Sequence, residues 1–162
     1  MYTFLIISHL VGTVIGVGAA TFAEVFIIRD LRDGVIDPVE GDHLRMMYLA
    51  MRIGLVITFL SGFGFLLYYR LNGLEELLYQ PKLWAKMTII VALIVNAALL
   101  QSGKMNFKLG AGISLTSWYA ALVIGSWREM PYGYIEIITG YVLLVIVATF
   151  LLELIKAHII KH

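Results

Sequence analysis

The chain contains no cysteine, only three prolines and few charged residues, and each shortage narrows its interpretation. Without cysteine, the protein has no disulfide, no thiolate metal site and no cysteine-held iron–sulfur cluster. Charged residues make up 14% of the sequence, whereas an ordinary soluble domain has ~25%. The net charge of +1 gives no basic patch of the kind that nucleic acid requires, so we expect no nucleic-acid partner.

Apolar residues are abundant instead. They make up 60% of the 162 residues, and ~45–50% is usual in soluble proteins. This excess predicts an integral membrane protein with the lipid bilayer as its main partner. The length leaves room for a single membrane domain, residues 1–162, and for no appended soluble domain. The first apolar stretch lacks the features of a cleaved signal peptide, so we expect it to stay in the membrane.

Five stretches are long and apolar enough to cross the ~30 Å hydrocarbon core, which takes roughly 20 helical residues. They are Thr3–Ile28, Met46–Tyr69, Lys82–Gln101, Leu109–Ser126 and Tyr132–Ile155. Pro38, Pro81 and Pro131 fall at the breaks between them, and Leu74–Gln80 is expected to form a short interfacial helix. The predicted fold class is therefore all-α, an integral membrane bundle of five transmembrane helices.

Basic residues are divided unequally between the two faces of such a bundle. One face carries Arg29, Arg32, Arg45, Lys104, Lys108, Lys156 and Lys161, and the other carries Arg70, Lys82 and Arg128. The positive-inside rule therefore predicts an external N-terminus and a cytoplasmic C-terminus. We expect a multi-pass protein of the bacterial cytoplasmic (inner) membrane.

Ionisable residues within the spans are costly in lipid and mark candidate sites. His9, Lys86 and Glu136 each lie within one or two turns of the outer end of their helix, so they form an outer layer. Glu24 lies roughly 22 Å deeper than His9 along the same helix. With Arg52 it forms an inner layer, which we interpret as a buried ion pair or, alternatively, as part of a polar pathway.

His9 is a candidate haem ligand, because one neutral imidazole inside a helix bundle can hold haem iron. It shares an inward stripe of the first helix with Gly12 and Gly16. These glycines would leave room for a flat macrocycle, although such spacing is also a common device for helix packing. Trp118, near the middle of the fourth span, would form part of the pocket wall.

The remaining parts of this predicted haem site come from the outer layer. Lys86 and Glu136 would form its polar frame, and Met87 or Met130 would supply a second axial ligand. A five-coordinate haem b, a lysine ligand from Lys86, and a purely structural hydrogen-bonded His9 remain alternatives. The expected small-molecule partner is a porphyrin or a quinone-like compound.

Short motifs in the first three spans resemble those of the HemJ-like and CopD-like membrane proteins. They are His9-Leu10-Val11-Gly12, Ser61-Gly62-Phe63-Gly64 and Leu83-Trp84-Ala85-Lys86, followed by Asn96. HemJ-like proteins are haem-binding protoporphyrinogen oxidases, and CopD-like proteins are associated with copper handling. The resemblance implies that His9 is an axial haem ligand and Lys86 a neighbouring functional group. The histidine expected soon after the lysine is absent here, and Ser114–Ala120 resembles a segment of bacterial membrane proteins without an assigned role.

Three functions follow from these patterns. The first is a b-type haem protein of redox or porphyrin-related role, a candidate haem-dependent oxidoreductase. The second is a cofactor-free transporter or channel for protons, a metal ion or a small solute, with Glu24, Arg52, Asn96, Ser114 and Ser117 among its lining residues. The third is an assembly subunit without a site of its own, and a homo-oligomer is compatible with all three.

Overall fold

Five long helices are present in the computed structural model, which describes residues 1–30 and 37–160. Their bounds are α1 Tyr2–Asp30, α2 Pro38–Leu71, α3 Pro81–Gln101, α4 Phe107–Ser126 and α5 Tyr134–Ile160. Each is long and apolar enough to cross a membrane, so the predicted all-α, five-span class is confirmed. A short 3-10 helix, Glu75–Tyr79, lies within the predicted interfacial segment. Arg32 and Lys161, which were counted among the basic residues of the predicted cytoplasmic face, lie outside the described residues.

Local chemistry sets the helix ends. Asp37 and Glu40 form a capping box, in which Glu40 N donates to Asp37 Oδ1 and Asp37 N donates to Glu40 Oε2, both at 2.9 Å. With Pro38 at the first helical position, this cap starts α2 eight residues before the predicted Met46. Hydropathy detects only the part of a helix that lies in lipid, so it missed these first two, more polar turns. The predicted start of the fifth span, Tyr132, was two residues early, because α5 begins at Tyr134.

The bundle is organised around a tight α1–α2 pair and a second unit of α3, α4 and α5. Glycines let α1 and α2 approach closely, since a Cβ added to Gly54 would lie 2.8 Å from both the Gly12 oxygen and the Gly16 nitrogen. The main core cluster joins the second unit through Ala85, Ile89, Ile124, Ile137, Tyr141 and Val145. A second cluster, built around Leu93 and Trp118, attaches α1 to that unit.

Candidate functional site

A groove separates α2 from α3. These two helices are linked through the loop and the 3-10 helix, and they make little contact along their length. Residues of α1 and α4 lie beneath the gap. Two cavities follow each other along it, one of about 260 Å³ at the end that contains His9 and one of about 230 Å³ at the end that contains Arg52. We call them the His9 cavity and the Arg52 cavity.

The His9 ring is held in one orientation at the wall of its cavity. Its Nδ1 lies 3.0 Å from the Ser61 hydroxyl oxygen, and the Phe65 ring meets it edge-on at 5.6 Å. Ser61 donates its own single proton to a backbone carbonyl, that of Ile57 at 2.6 Å or of Thr58 at 3.1 Å. The serine oxygen therefore accepts from His9 Nδ1–H, and the lone pair of a neutral imidazole remains on Nε2.

His9 lines the cavity, and its ring has a further hydrogen-bond contact with the Thr58 backbone beside the Ser61 contact at Nδ1. Its tautomer and orientation are those of a metal-ligating imidazole, whose second nitrogen typically donates to a fixed acceptor. The sequence prediction identified His9 but missed Ser61 as its partner. The only available signal was that Ser61 lies at a depth in the second span similar to that of His9 in the first.

Lys86 and Met87 of α3 line the same cavity as His9. Lys86 is half-buried, and within residues 1–30 and 37–160 its ammonium group has no hydrogen bond or ion pair.

No family model, curated protein or solved structure matches the chain. The interpretation of the site therefore depends on its own chemistry, which is one fixed imidazole, one unpaired cation and one thioether facing a mostly apolar space.

Trp118 and the two glycines lie elsewhere. Trp118 is 1% exposed and lines the Arg52 cavity, and its indole packs directly against Gly16. A Cβ on Gly12 would lie 2.8 Å from the Thr58 backbone nitrogen, which places Gly12 at the α1–α2 contact. The prediction that Gly12, Gly16 and Trp118 form the haem pocket is therefore corrected. The small residues make room for a neighbouring helix and for an indole.

Glu136 and Met130 line a different cavity, between α4 and α5. The Glu136 carboxylate accepts a hydrogen bond of 2.7 Å from the Gly133 nitrogen, so it caps the start of α5. Depth along the helix axis put both residues in the predicted outer layer, but depth carries no information about which helices are neighbours around the bundle. Of the two candidate methionines, only Met87 lines the cavity of His9.

The expected Glu24–Arg52 ion pair is also corrected. Glu24 pairs with Lys156 of α5 at 3.1 Å, and both side chains are buried. Arg52 lines its own cavity and makes no ion pair with the described acidic residues. Lys156 was assigned to the cytoplasmic tail because the fifth span was ended at Ile155, whereas α5 continues to Ile160.

Polar residues proposed to line a transport pathway are engaged within the bundle. Asn96 donates to the Gly110 carbonyl at 2.8 Å and to the Ser114 hydroxyl at 3.0 Å. Ser117 is fully buried and lies 2.8 Å from the Tyr141 hydroxyl. These contacts join α3 to α4 and α4 to α5, which gives each side chain a structural role.

Proposed function

We propose that the protein is a b-type haem protein of the membrane, with a redox or porphyrin-related role, and that Nε2 of His9 is the axial ligand. The observation that carries this proposal is the Ser61 hydrogen bond, which engages Nδ1 and holds the His9 ring at a cavity wall, as a metal-ligating imidazole requires. Within the described residues there is no group of three histidine or acidic side chains that could hold a bare metal ion. A single imidazole suits a metal that arrives with its own ligand set, as haem iron does.

The other lining residues fit the remaining parts of a haem. Lys86 supplies a cation without an acidic partner, and a propionate would satisfy it by a charge-assisted hydrogen bond. Met87 offers a thioether to the same space, so it is the candidate for a second axial ligand. Phe59 and Phe63 form part of the lining and are 41% and 52% exposed, so the cavity opens sideways towards lipid. Its volume of about 260 Å³ therefore does not limit the ligand to that size.

Haem bound here would supply one-electron redox chemistry. The chain's own residues would hold the ligand, exclude water from it and pair with its acidic groups. Ser61 holds the imidazole in place through the Nδ1 hydrogen bond. The apolar wall, including Phe65 and Ile90, keeps water away from the ligand face. Lys86 would pair with an acidic group of the ligand and so hold that group on the α3 side of the groove.

An absorption spectrum of the purified protein tests the proposal. Protein from haem-replete cells should show a Soret band, and His9→Ala should weaken it strongly. His43→Ala is the matched control, because His43 is a half-buried histidine of α2 that packs against Phe26, away from the cavity. Added imidazole should restore part of the band in His9→Ala if the cavity itself is intact.

Two results would overturn the proposal. One is colourless wild-type protein that also fails to take up added haemin in detergent. The other is a band that His9→Ala leaves unchanged. Thermal unfolding of both histidine variants, measured by circular dichroism, separates loss of the ligand from loss of the fold.

A further inference from the structure

The Arg52 cavity lies at the other end of the α2–α3 groove, and its lining combines a few polar side chains with apolar walls. Tyr48, Arg52, Gln101 and Ser114 bring polar groups to it. Its remaining walls are apolar, and they consist of Met51, Leu55, Leu93, Ala97, Leu100, Phe107 and Trp118. The cavity measures about 230 Å³. We infer that it binds a single-chain amphiphile with an anionic headgroup, whose carboxylate or phosphate monoester pairs with Arg52 and whose chain lies against the apolar walls.

The negative charge of the headgroup is inferred from the hydrogen-bond donors of Arg52 and Ser114. Arg52 carries five N–H donors in a planar fork that matches carboxylate and phosphate oxygens. Ser114 accepts from Asn96 Nδ2 at 3.0 Å, and its own hydroxyl proton makes no hydrogen bond in the described part of the chain. That proton is therefore free to be donated into the cavity. No acidic side chain is among the residues that line it; Glu24 lines the small adjoining cavity, where Lys156 pairs with it, so the charged side chain of the Arg52 cavity itself is a cation.

Arg52 itself lacks a counter-ion. It lies seven residues beyond Arg45 on α2, which places it ~10 Å further along the helix axis and inside the apolar segment. A cation at that position is costly unless something pairs with it, and Glu24, the acidic residue expected to do so, is held by Lys156. A ligand anion would supply the missing partner.

The need for a hydrocarbon chain follows from the walls. Leu55 and Trp118 lie about one helical turn beyond Arg52 and Ser114, and Leu93 lies about two turns beyond Gln101, in each case in the direction of the His9 cavity. A hydrocarbon chain of the ligand would make van der Waals contacts with these walls. A small inorganic ion would leave these walls without a partner.

Binding of radiolabelled dodecanoate to the full chain in phosphatidylcholine nanodiscs tests the inference. Empty nanodiscs correct for partition into lipid, and displacement by unlabelled dodecanoate shows whether binding saturates. We expect displacement by dodecanoate or by dodecyl phosphate, and the better of the two identifies the headgroup. Acetate, which lacks the chain, and dodecanol, which lacks the charge, should not displace the label.

Single substitutions test whether the ligand binds in the Arg52 cavity. Arg52→Gln should raise the Kd about tenfold or more, because it removes a charge-assisted, bidentate contact. Arg45→Gln makes the same charge change at an exposed position of the same helix and should leave the Kd within roughly twofold. Ala97→Phe fills the cavity without changing any charge and should also abolish binding. Unfolding curves show which variants remain folded.

Absence of saturable binding would overturn the inference. So would displacement by dodecanol as effective as by dodecanoate, or equal affinity in Arg52→Gln and Arg45→Gln, since Arg52 would then only extend towards lipid phosphates. None of these measurements depends on haem, so the His9 proposal and this one stand or fall separately.

Discussion

Glu24 of α1 and Lys156 of α5 form a 3.1 Å ion pair inside the bundle, with side chains that are 10% and 8% exposed. Lys156 Nζ also lies 5.9 Å from the centre of the Phe107 ring. The first and last helices make few other contacts with each other. The pair therefore defines where α5 lies relative to α1.

Breaking this pair from one side should destabilise the protein strongly. Glu24→Gln or Lys156→Met alone leaves an unpaired buried charge, and we expect a loss of ~3–5 kcal/mol in the free energy of unfolding. The double variant removes both charges and should lose less than the two single variants together. Reversible unfolding in mixed micelles measures all three. Lys108→Gln is the control, because its 2.6 Å pair with Glu153 is largely exposed and should contribute ~0–1 kcal/mol. Strictly additive losses would contradict a direct interaction.

Gly54 should not tolerate alanine. The added Cβ would meet the backbone of Gly12 and Gly16 at 2.8 Å, so α1 and α2 would have to separate, at a cost of about 1–3 kcal/mol. Gly18→Ala, on the same pair of helices, has open space around the new methyl group and should leave stability unchanged or slightly higher. The same unfolding assay compares them. Equal effects of the two substitutions would refute the close glycine contact.

Trp118 should matter for stability and not for haem. Trp118→Ala removes a buried indole that packs against Gly16, and we expect a loss of ~3–5 kcal/mol. Trp118→Phe keeps most of the packing and should leave the Soret band of the proposed haem unchanged. A band that shifts or disappears in the folded Trp118→Phe variant would return this residue to the haem pocket.

Ser61 should tune the proposed haem site without contacting the ligand. Ser61→Ala removes the acceptor for His9 Nδ1–H, and loss of such a partner typically lowers metal affinity by about 10–100-fold. Haem titration and the reduction potential measure the change. Ser126→Ala is the matched control, since Ser126 also bonds to a carbonyl four residues back, that of Leu122, but lies exposed at the end of α4. Identical spectra, affinities and potentials for wild type and Ser61→Ala would remove the support for the fixed tautomer.

Orientation in the membrane can be tested cleanly because the chain has no cysteine. Asn72→Cys places a thiol in the loop after α2, and Ser102→Cys places one in the loop after α3. The charge distribution predicts that an impermeant maleimide added to intact cells labels the first thiol and not the second. Lysed cells should give labelling of both. The reverse pattern in intact cells would invert the predicted topology.

The sequence alone determined the number of spans and their approximate bounds, because the ~30 Å thickness of the hydrocarbon core imposes a length that hydropathy reports directly. It also predicted the depth of the ionisable residues within the spans, since rise along a helix is constant, but it assigned Lys156 to the tail because it ended the fifth span too early. His9, Lys86 and Met87 were therefore correctly placed at one level, and the structure brings these three to one cavity.

Only the tertiary structure decided which residues meet around the bundle. Lys156 instead of Arg52 pairs with Glu24, Glu136 caps its own helix, and Trp118 packs on Gly16. The physical reason is that helical periodicity gives each residue an angle on its own helix but says nothing about which helices are neighbours. That choice depends on long-range packing, here on the glycine contact of α1 with α2 and on the gap that remains between α2 and α3.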